Sequence, residues 1–302
     1  MVAGMRVLML ASVALAALAG CSDAPEVPLV PTNRVVLAEF FTWQRCVYCP
    51  YAARALDSLA REFQDSVVVV AYHRRVAGDT LSPEYVETRR AFYYETGGEP
   101  ATVFDGGPVV RTAGPEDNYE TFRNHIRAAK SVPPRAQLAL AATLDSGTGM
   151  VVVHAWGVDS TPAESLRLFV VITEDSVRGT LPGATDSVFN SVMRALLPDT
   201  NGRTIRLFRA DTVRVEEQFH WPGFWDPRQL RVVAFIQQPT THQVLQATQT
   251  RIIQRVCPSG VTGVHAATKG SRALRPRRCR WAQHRLAGRE PLRSGADGKP
   301  RR

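Results

Sequence analysis

Between Arg34 and Lys130, short apolar runs alternate with segments whose apolar positions recur at helical spacing. The run "RVVLAEFFT", Arg34 to Thr42, is rich in β-branched and aromatic residues and predicts a buried strand. From Pro50, the positions Ala52, Leu56, Leu59, Ala60 and Phe63 fall on one helical face. "SVVVVAYH", Ser66 to His73, is continuously apolar, as in a sheet covered on both faces. These segments form a strand–helix–strand unit, and His73, Arg74 and Arg75 end its second strand at the edge where the helix begins. "LSPEYVETRRAFYYE" predicts a further helix, with Ser82 as N-cap and Pro83 as first helical residue. "PATVF", "DGG" and "PVVR" predict a hairpin from Pro100 to Arg111, and Tyr119, Phe122, Ile126 and Ala129 predict a closing helix.

"SVPPR", residues 131–135, breaks this pattern. Strand-like runs separated by turn residues follow, among them "AQLALAATL", "MVVVHAWGV", "SLRLFVVITE", "TVRVEEQF" and "QLRVVAFIQQ". About seven strands without regular intervening helices predict an antiparallel sandwich. One short helix is expected within it, at Asp186 to Pro198. The cluster "WPGFW", Trp221 to Trp225, reads as core packing at a strand end, with a binding patch on the sandwich as the alternative. The expected organisation is an α/β domain over residues 34–132 and an all-β sandwich over 133–256.

The two ends read differently. Residues 1–21 resemble an export signal: one early Arg, then an apolar run from Val7 to Ala19 too short for the roughly 20 residues of a membrane helix. "LAGC", ending at Cys21, is similar to the lipobox of bacterial lipoproteins, which implies lipidation of Cys21 and an envelope location, with outer-membrane sorting favoured. Residues 22–33, with three prolines, read as a tether. From Cys257 to Arg302 the chain has 12 Lys or Arg against 2 Asp or Glu and no periodicity, and reads as a disordered tail. The formal charge of +9 therefore resides in the tail, and the remainder is nearly balanced. That distribution gives no support to a nucleic-acid partner.

The chemistry concentrates in "WQRCVYCPYAARAL", residues 43–56. Export places Cys46 and Cys49 where disulfides persist. At a helix start, Cys46 faces unsatisfied N–H groups that favour thiolate, and Arg45 adds a positive charge. Cys46 is therefore expected to be the more exposed, lower-pKa thiol, with Cys49 one turn later placed to attack a mixed disulfide on it. The same spacing serves an inert structural disulfide or part of a zinc site. Zinc needs two further ligands, and the sequence has no second such pair. No cofactor or metal is called for.

With "VVLAEFF", "CVYC" at a helix start, a parallel strand and a proline opening a hairpin, the chain resembles the thioredoxin superfamily. "EFFTWQRCVYCPYA", "AYH", "SPEY", "PATVFDGG" and "LRVVAFIQQPTTHQVLQA" resemble, more closely, bacterial lipoproteins of the family named after a twenty-eight-kilodalton outer membrane protein. The resemblance spans about residues 34 to 253. It implies a thioredoxin-like domain with a helical insertion, followed by an immunoglobulin-like sandwich. By residue, it implies Cys46 as nucleophile, Cys49 as resolving thiol, Pro100 as the cis-proline facing them, and Glu39 as the buried carboxylate that takes a proton from Cys49. Glu99, beside Pro100, is expected near Cys46 and opposes Arg45. From its place at the strand end, His73 either shapes the site or belongs to a solvated loop. The implied function is thiol–disulfide exchange with protein thiols and disulfides, from a membrane-anchored position. The alternative is a non-catalytic envelope binding protein whose cysteines form a permanent disulfide.

Overall fold

The computed structural model describes residues 27–254, apart from 28, 113, 115–117, 146, 159–164 and 210. The expected signal, Cys21 and the basic tail lie outside the described residues. The chain begins with β1 (Val36–Thr42), α1 (Cys49–Phe63), β2 (Val67–His73), α2 (Val86–Tyr93), β3 (Ala101–Phe104), β4 (Val109–Val110) and α3 (Asn118–Lys130). Next come β5 (Ala136–Asp145), β6 (Thr148–Gly157), β7 (Leu166–Glu174), β8 (Val177–Arg178), β9 (Val188–Phe189) and β10 (Val192–Leu197). The last are β11 (Arg203–Ile205), β12 (Thr212–His220), β13 (Leu230–Gln237), β14 (Val244–Arg251) and β15 (Ile253–Gln254). The protein is mostly β-sheet with few helices.

One mixed sheet crosses the whole chain in the order β14-β13-β7-β10-β2-β1-β3-β4, with β11 pairing beside β10 along β7. The boundary expected near residue 132 separates α3 from β5 along the chain, but it does not divide this sheet. β1 and β2 are parallel in the register Phe40 to Ala71 and Thr42 to His73. β3 runs antiparallel to β1 and β4 returns along it. A second sheet, β12-β6-β5-β15, packs on the β7, β13 and β14 part of the first.

Period-two alternation then assigns each side chain a layer. Val36, Ala38 and Phe40 of β1 face α1 and α3, packing with Ala52, Leu56, Leu59, Phe122 and Ile126. Leu37 and Phe41 face the other way, joining Val68, Val70 and Tyr72 of β2 and Phe169, Val171, Val233 and Phe235 from β7 and β13. The even residues Leu168, Val170, Ile172, Val232, Ala234 and Ile236 belong to the sandwich layer with β5 and β6. Trp225 is buried in this layer and Trp221 packs against it, whereas Phe224 is exposed. Each fully buried Val, Leu or Phe side chain contributes about 1.5–3 kcal/mol.

The large sheet curls until β14 returns to the end of β3. Val244 N–H donates to the Asp105 carbonyl at 2.9 Å, and the Arg34 guanidinium bonds the carbonyls of Val244 and Leu245 and, at 2.6 Å, the Asp105 carboxylate. The turn after β3 allows this approach because Gly106 has φ +74° and no side chain. A Cβ there would lie 1.7 Å from the His242 carbonyl oxygen.

Two local expectations are corrected. The segment Asp186 to Pro198 is not a helix: it contains β9 and β10, and Val192 pairs in parallel with Ala71. Met-Arg-Ala-Leu-Leu favours helix locally, but β10 fills the gap between β2 and β7, where Val192, Met193 and Leu196 are buried. A register shift between Met193 and Ala195 hides its strand alternation. In addition, α2 starts at Val86, with Ser82 ahead of it rather than capping it. The Ser82 hydroxyl is occupied elsewhere, accepting His73 N–H at 3.0 Å.

Candidate functional site

Cys46 and Cys49 form a disulfide, with Cα atoms 5.3 Å apart. Cys49 is the first residue of α1 and Pro50 follows it, where a missing N–H costs little. Cys46 therefore precedes the helix by one turn and belongs to the β1–α1 loop, with its N–H donating to the Trp43 carbonyl at 3.1 Å. The expected difference in exposure between the cysteines is absent: each is 3% exposed in the disulfide. The residues between them are open instead, Val47 at 68% and Tyr48 at 52%.

Pro100 is cis and buried at the start of β3. The carbonyl oxygen of Glu99 lies 3.5 Å from Cys46 Sγ, so the backbone ahead of β3 is brought against the first cysteine. The Glu99 carboxylate, however, is turned into a basic pocket and is 3% exposed. Arg74 Nη1 donates to it at 2.9 Å, Arg90 Nε at 3.3 Å and the Tyr94 hydroxyl at 3.2 Å. Arg90 and Arg111 also stack on Tyr94. Burial beside Glu99 holds the Tyr94 phenol well above the ordinary range. The expectation of a Glu99 charge opposing Arg45 at Cys46 is thus corrected, because Glu99 is already paired. Arg45 is exposed, and its Nε–H is tied to the Pro182 carbonyl at 2.9 Å.

Glu39 is also placed differently. It lies between Ala38 and Phe40, so alternation sends it to the face away from α1, and Phe40 occupies the face beneath the cysteines. There Glu39 is fully buried and receives Arg89 at both oxygens, at 2.7 and 2.8 Å, together with the hydroxyls of Tyr72 and Tyr93. Arg89 is stacked among Tyr93, Phe169 and Phe235 and donates to Gln237. A carboxylate so engaged, with the sheet between it and Cys49, is not its proton acceptor.

Beside Cys49 opens a cleft of about 140 Å³. Its walls come from α1, from the ends of β1 and β2, and from the 185–190 segment, and include Phe40, Trp43, Asp57, His73, Phe189 and Asn190. The β8–β9 excursion forms the outer wall, held by the buried Gln44. Gln44 Oε1 accepts from the N–H groups of Thr180 and Leu181, at 2.7 and 3.2 Å. Its carbonyl accepts the Thr185 N–H at 2.7 Å, and Thr185 Oγ1 lies 3.2 Å from the Cys46 carbonyl. Asn190 donates to Asp57 at 2.9 Å. Burial raises the Asp57 pKa, partly offset by that hydrogen bond and by Arg61.

His73 lines this cleft. Its ring is buried, stands edge-on to Phe189 and bonds Asp79 through Nδ1 at 2.9 Å. Asp79 also accepts from the backbone N–H groups of Gln44 and Leu81 and from Gln44 Nε2, at 2.8, 3.0 and 3.1 Å. Burial acts to raise the Asp79 pKa, but His73 and these donors bring it below the usual value. Asp79, Gln44, Thr185 and Asn190 were not singled out from sequence. Gln44, a polar residue directly after an apolar strand, carried some signal; the hairpin residues, more than 130 positions away, carried none.

Among the described residues no cluster of His, Cys, Asp and Glu has a metal-binding arrangement, and no helix is long and apolar enough to cross a membrane. No family model matches the chain, and no curated protein matches it. Among solved structures, HBP35 of Porphyromonas gingivalis is similar at 16% identity and a TM-score of 0.61, covering 80% of this chain and 81% of that one. At that level the two share a fold. A structural-genomics protein of Agrobacterium tumefaciens aligns at 13% identity and a TM-score of 0.47, over 72% of this chain and 95% of that one. A domain of the outer membrane lipoprotein Omp28 from Porphyromonas gingivalis aligns at 13% identity, over 40% of this chain and 90% of that one. Its TM-score of 0.30 is too low to bear on the fold.

Proposed function

We propose that this chain is a lipid-anchored thiol–disulfide oxidoreductase of the bacterial cell envelope, built on a thioredoxin-like unit and acting on protein thiols and disulfides. The observation that carries the reading is the Cys46–Cys49 disulfide at the start of α1, with the Glu99 carbonyl 3.5 Å from Cys46 Sγ. The parallel β1–α1–β2 unit and the antiparallel β3 support this reading. Exposed Val47 and Tyr48 offer an apolar landing surface at the disulfide. The anchor rests on "LAGC" at Cys21, and mass spectrometry of the mature N-terminus tests it; an unmodified amine on any residue other than Cys21 refutes it. The outer membrane is the proposed destination.

In this reading Cys46 attacks a substrate disulfide and Cys49 resolves the mixed disulfide. A Cys49→Ala variant accumulates covalent adducts through Cys46, and a Cys46→Ser variant accumulates none. A second reading, a binding protein with a permanent disulfide, is favoured by the 3% exposure of both cysteines. The reduction potential separates the two: catalytic pairs lie at about −120 to −270 mV and structural ones below about −300 mV. A value in the lower range, with no adducts from Cys49→Ala, overturns the oxidoreductase reading.

A further inference from the structure

We infer that His73, oriented by Asp79, is the proton acceptor for the resolving thiol Cys49, the role that the family resemblance implied for Glu39. The inference rests on the oxidoreductase reading and names a residue within its site. His73 and Cys49 line the same cleft, whereas Glu39 is on the opposite face of the sheet. The end of β2 is anchored at the disulfide: Arg74, the next residue, bonds the Glu99 carboxylate, and the Glu99 carbonyl lies against Cys46 Sγ.

The dyad is built for one direction of proton flow. Asp79 accepts three other N–H bonds, which keep it an acceptor, so the proton on His73 sits at Nδ1. In the neutral ring Nε2 then carries the lone pair, since the hydrogen bond to Asp79 engages Nδ1. At about 140 Å³ the cleft has room for several waters of roughly 30 Å³ each, enough for a short relay from Cys49 to Nε2. The competing base in the cleft is Asp57, which bonds Asn190. It lies eight residues along α1 from Cys49, about 12 Å at the rise of a helix. The charged or titratable groups around His73 are therefore Asp79 on the β2–α2 loop, Arg54, Asp57 and Cys49 on α1, and Asp186 on the outer wall.

The step balances as follows. Cys46 thiolate attacks a substrate disulfide and expels one substrate thiolate, leaving a mixed disulfide. Cys49 S–H gives its proton to Nε2, and its thiolate attacks Cys46 Sγ. The mixed disulfide breaks, the Cys46–Cys49 bond forms, and the departing substrate sulfur takes the electron pair and then the proton. Two electrons have passed from the protein dithiol to the substrate, and an external dithiol restores the reduced pair.

The test uses the full-length chain with Cys21, Cys257 and Cys279 replaced by Ser, so that only two thiols report. The reduced protein is mixed with dithiobis(nitrobenzoate), which releases one coloured thiolate at each attack. His73→Gln should leave the first release within about twofold of the reference. It should slow the second about 100-fold near neutral pH, the lower range for a positioned general base. The gap should close as pH approaches the ordinary thiol value of about 8.5. A second release equally fast in His73→Gln, or both releases slowed alike, overturns the assignment. Should His73→Gln fail to fold, Asp79→Asn decides: it keeps the ring but removes its orienting carboxylate, and it should slow the second release alone; an unchanged second release there overturns the assignment. If the chain retaining His73 shows no first release, the oxidoreductase reading itself fails, and the proton-acceptor assignment with it.

Discussion

Arg89 of α2 grips both oxygens of Glu39 on β1, at 2.7 and 2.8 Å, in a layer where both side chains are essentially without exposure. This pair, with Tyr72, Tyr93 and Gln237, ties the helix between β2 and β3 to strands from both halves of the chain. Arg89→Met keeps most of the packing but strands the Glu39 charge, and it should cost about 3–5 kcal/mol in urea denaturation. Glu39→Gln should also destabilise, while leaving the rate of disulfide exchange per folded molecule unchanged. A slowed resolving step in folded Glu39→Gln would contradict the placement of Glu39 away from Cys49.

Gln44 joins the cysteine loop to the β8–β9 excursion through its carbonyl and both side-chain polar atoms, Nε2 donating to Thr180 Oγ1 at 3.2 Å. Gln44→Ala removes these side-chain partners and leaves the partly buried Thr180 and Leu181 N–H groups without their acceptor, at about 0.5–1.5 kcal/mol for each hydrogen bond lost. Amide hydrogen exchange across residues 178–190 should accelerate strongly, with little change in β13 and β14. Uniform acceleration over the whole chain would show instead that Gln44 supports global stability.

The two carboxylates of the cleft should act in opposite senses with pH. Asp79 has a native pKa below 3.8, so its contribution to stability is present above that value and is lost as pH falls through the lowered one. Asp57 has a raised native pKa, so its favourable contribution exists below 3.8 and is lost as pH rises through the native value. Asp79→Asn should therefore destabilise at pH 7 and progressively less in acid, whereas Asp57→Asn should stabilise at pH 7 and lose that advantage in acid. Chemical denaturation of each variant across this pH range measures both trends.

Gly106 is required by contact as well as by conformation. Gly106→Ala places a methyl group 1.7 Å from the His242 carbonyl at φ +74°, where an L residue is strained. The overpacking and the left-handed backbone together should cost on the order of 2–4 kcal/mol. A melting temperature within a degree of the unsubstituted protein would show that the β13–β14 turn moves aside freely.

Local physics decided the elements that repeat a pattern over many residues. The strand at Val36–Thr42, the helix after Pro50, the hairpin after Pro100 and the strands beyond Pro134 were legible because their apolar positions follow a period that burial enforces. The CxxC pair and its neighbouring proline were legible for the same reason: they sit at the junctions of those elements. Tertiary structure alone decided the rest. Asp186 to Pro198 became strand because a gap beside β2 offered hydrogen bonds and burial that outweigh the helical preference of its residues. Glu39 lay one position from Phe40 in sequence, and that single step sends a side chain to the other face of the sheet. The Gln44-held wall brings together residues more than 130 positions apart, and Asp79 turns back onto His73 through an aperiodic six-residue loop, so no strand or helix period announced either contact. Sequence periodicity reports which face of an element is buried, but which element covers that face depends on long-range pairing, and the pairing built this cleft.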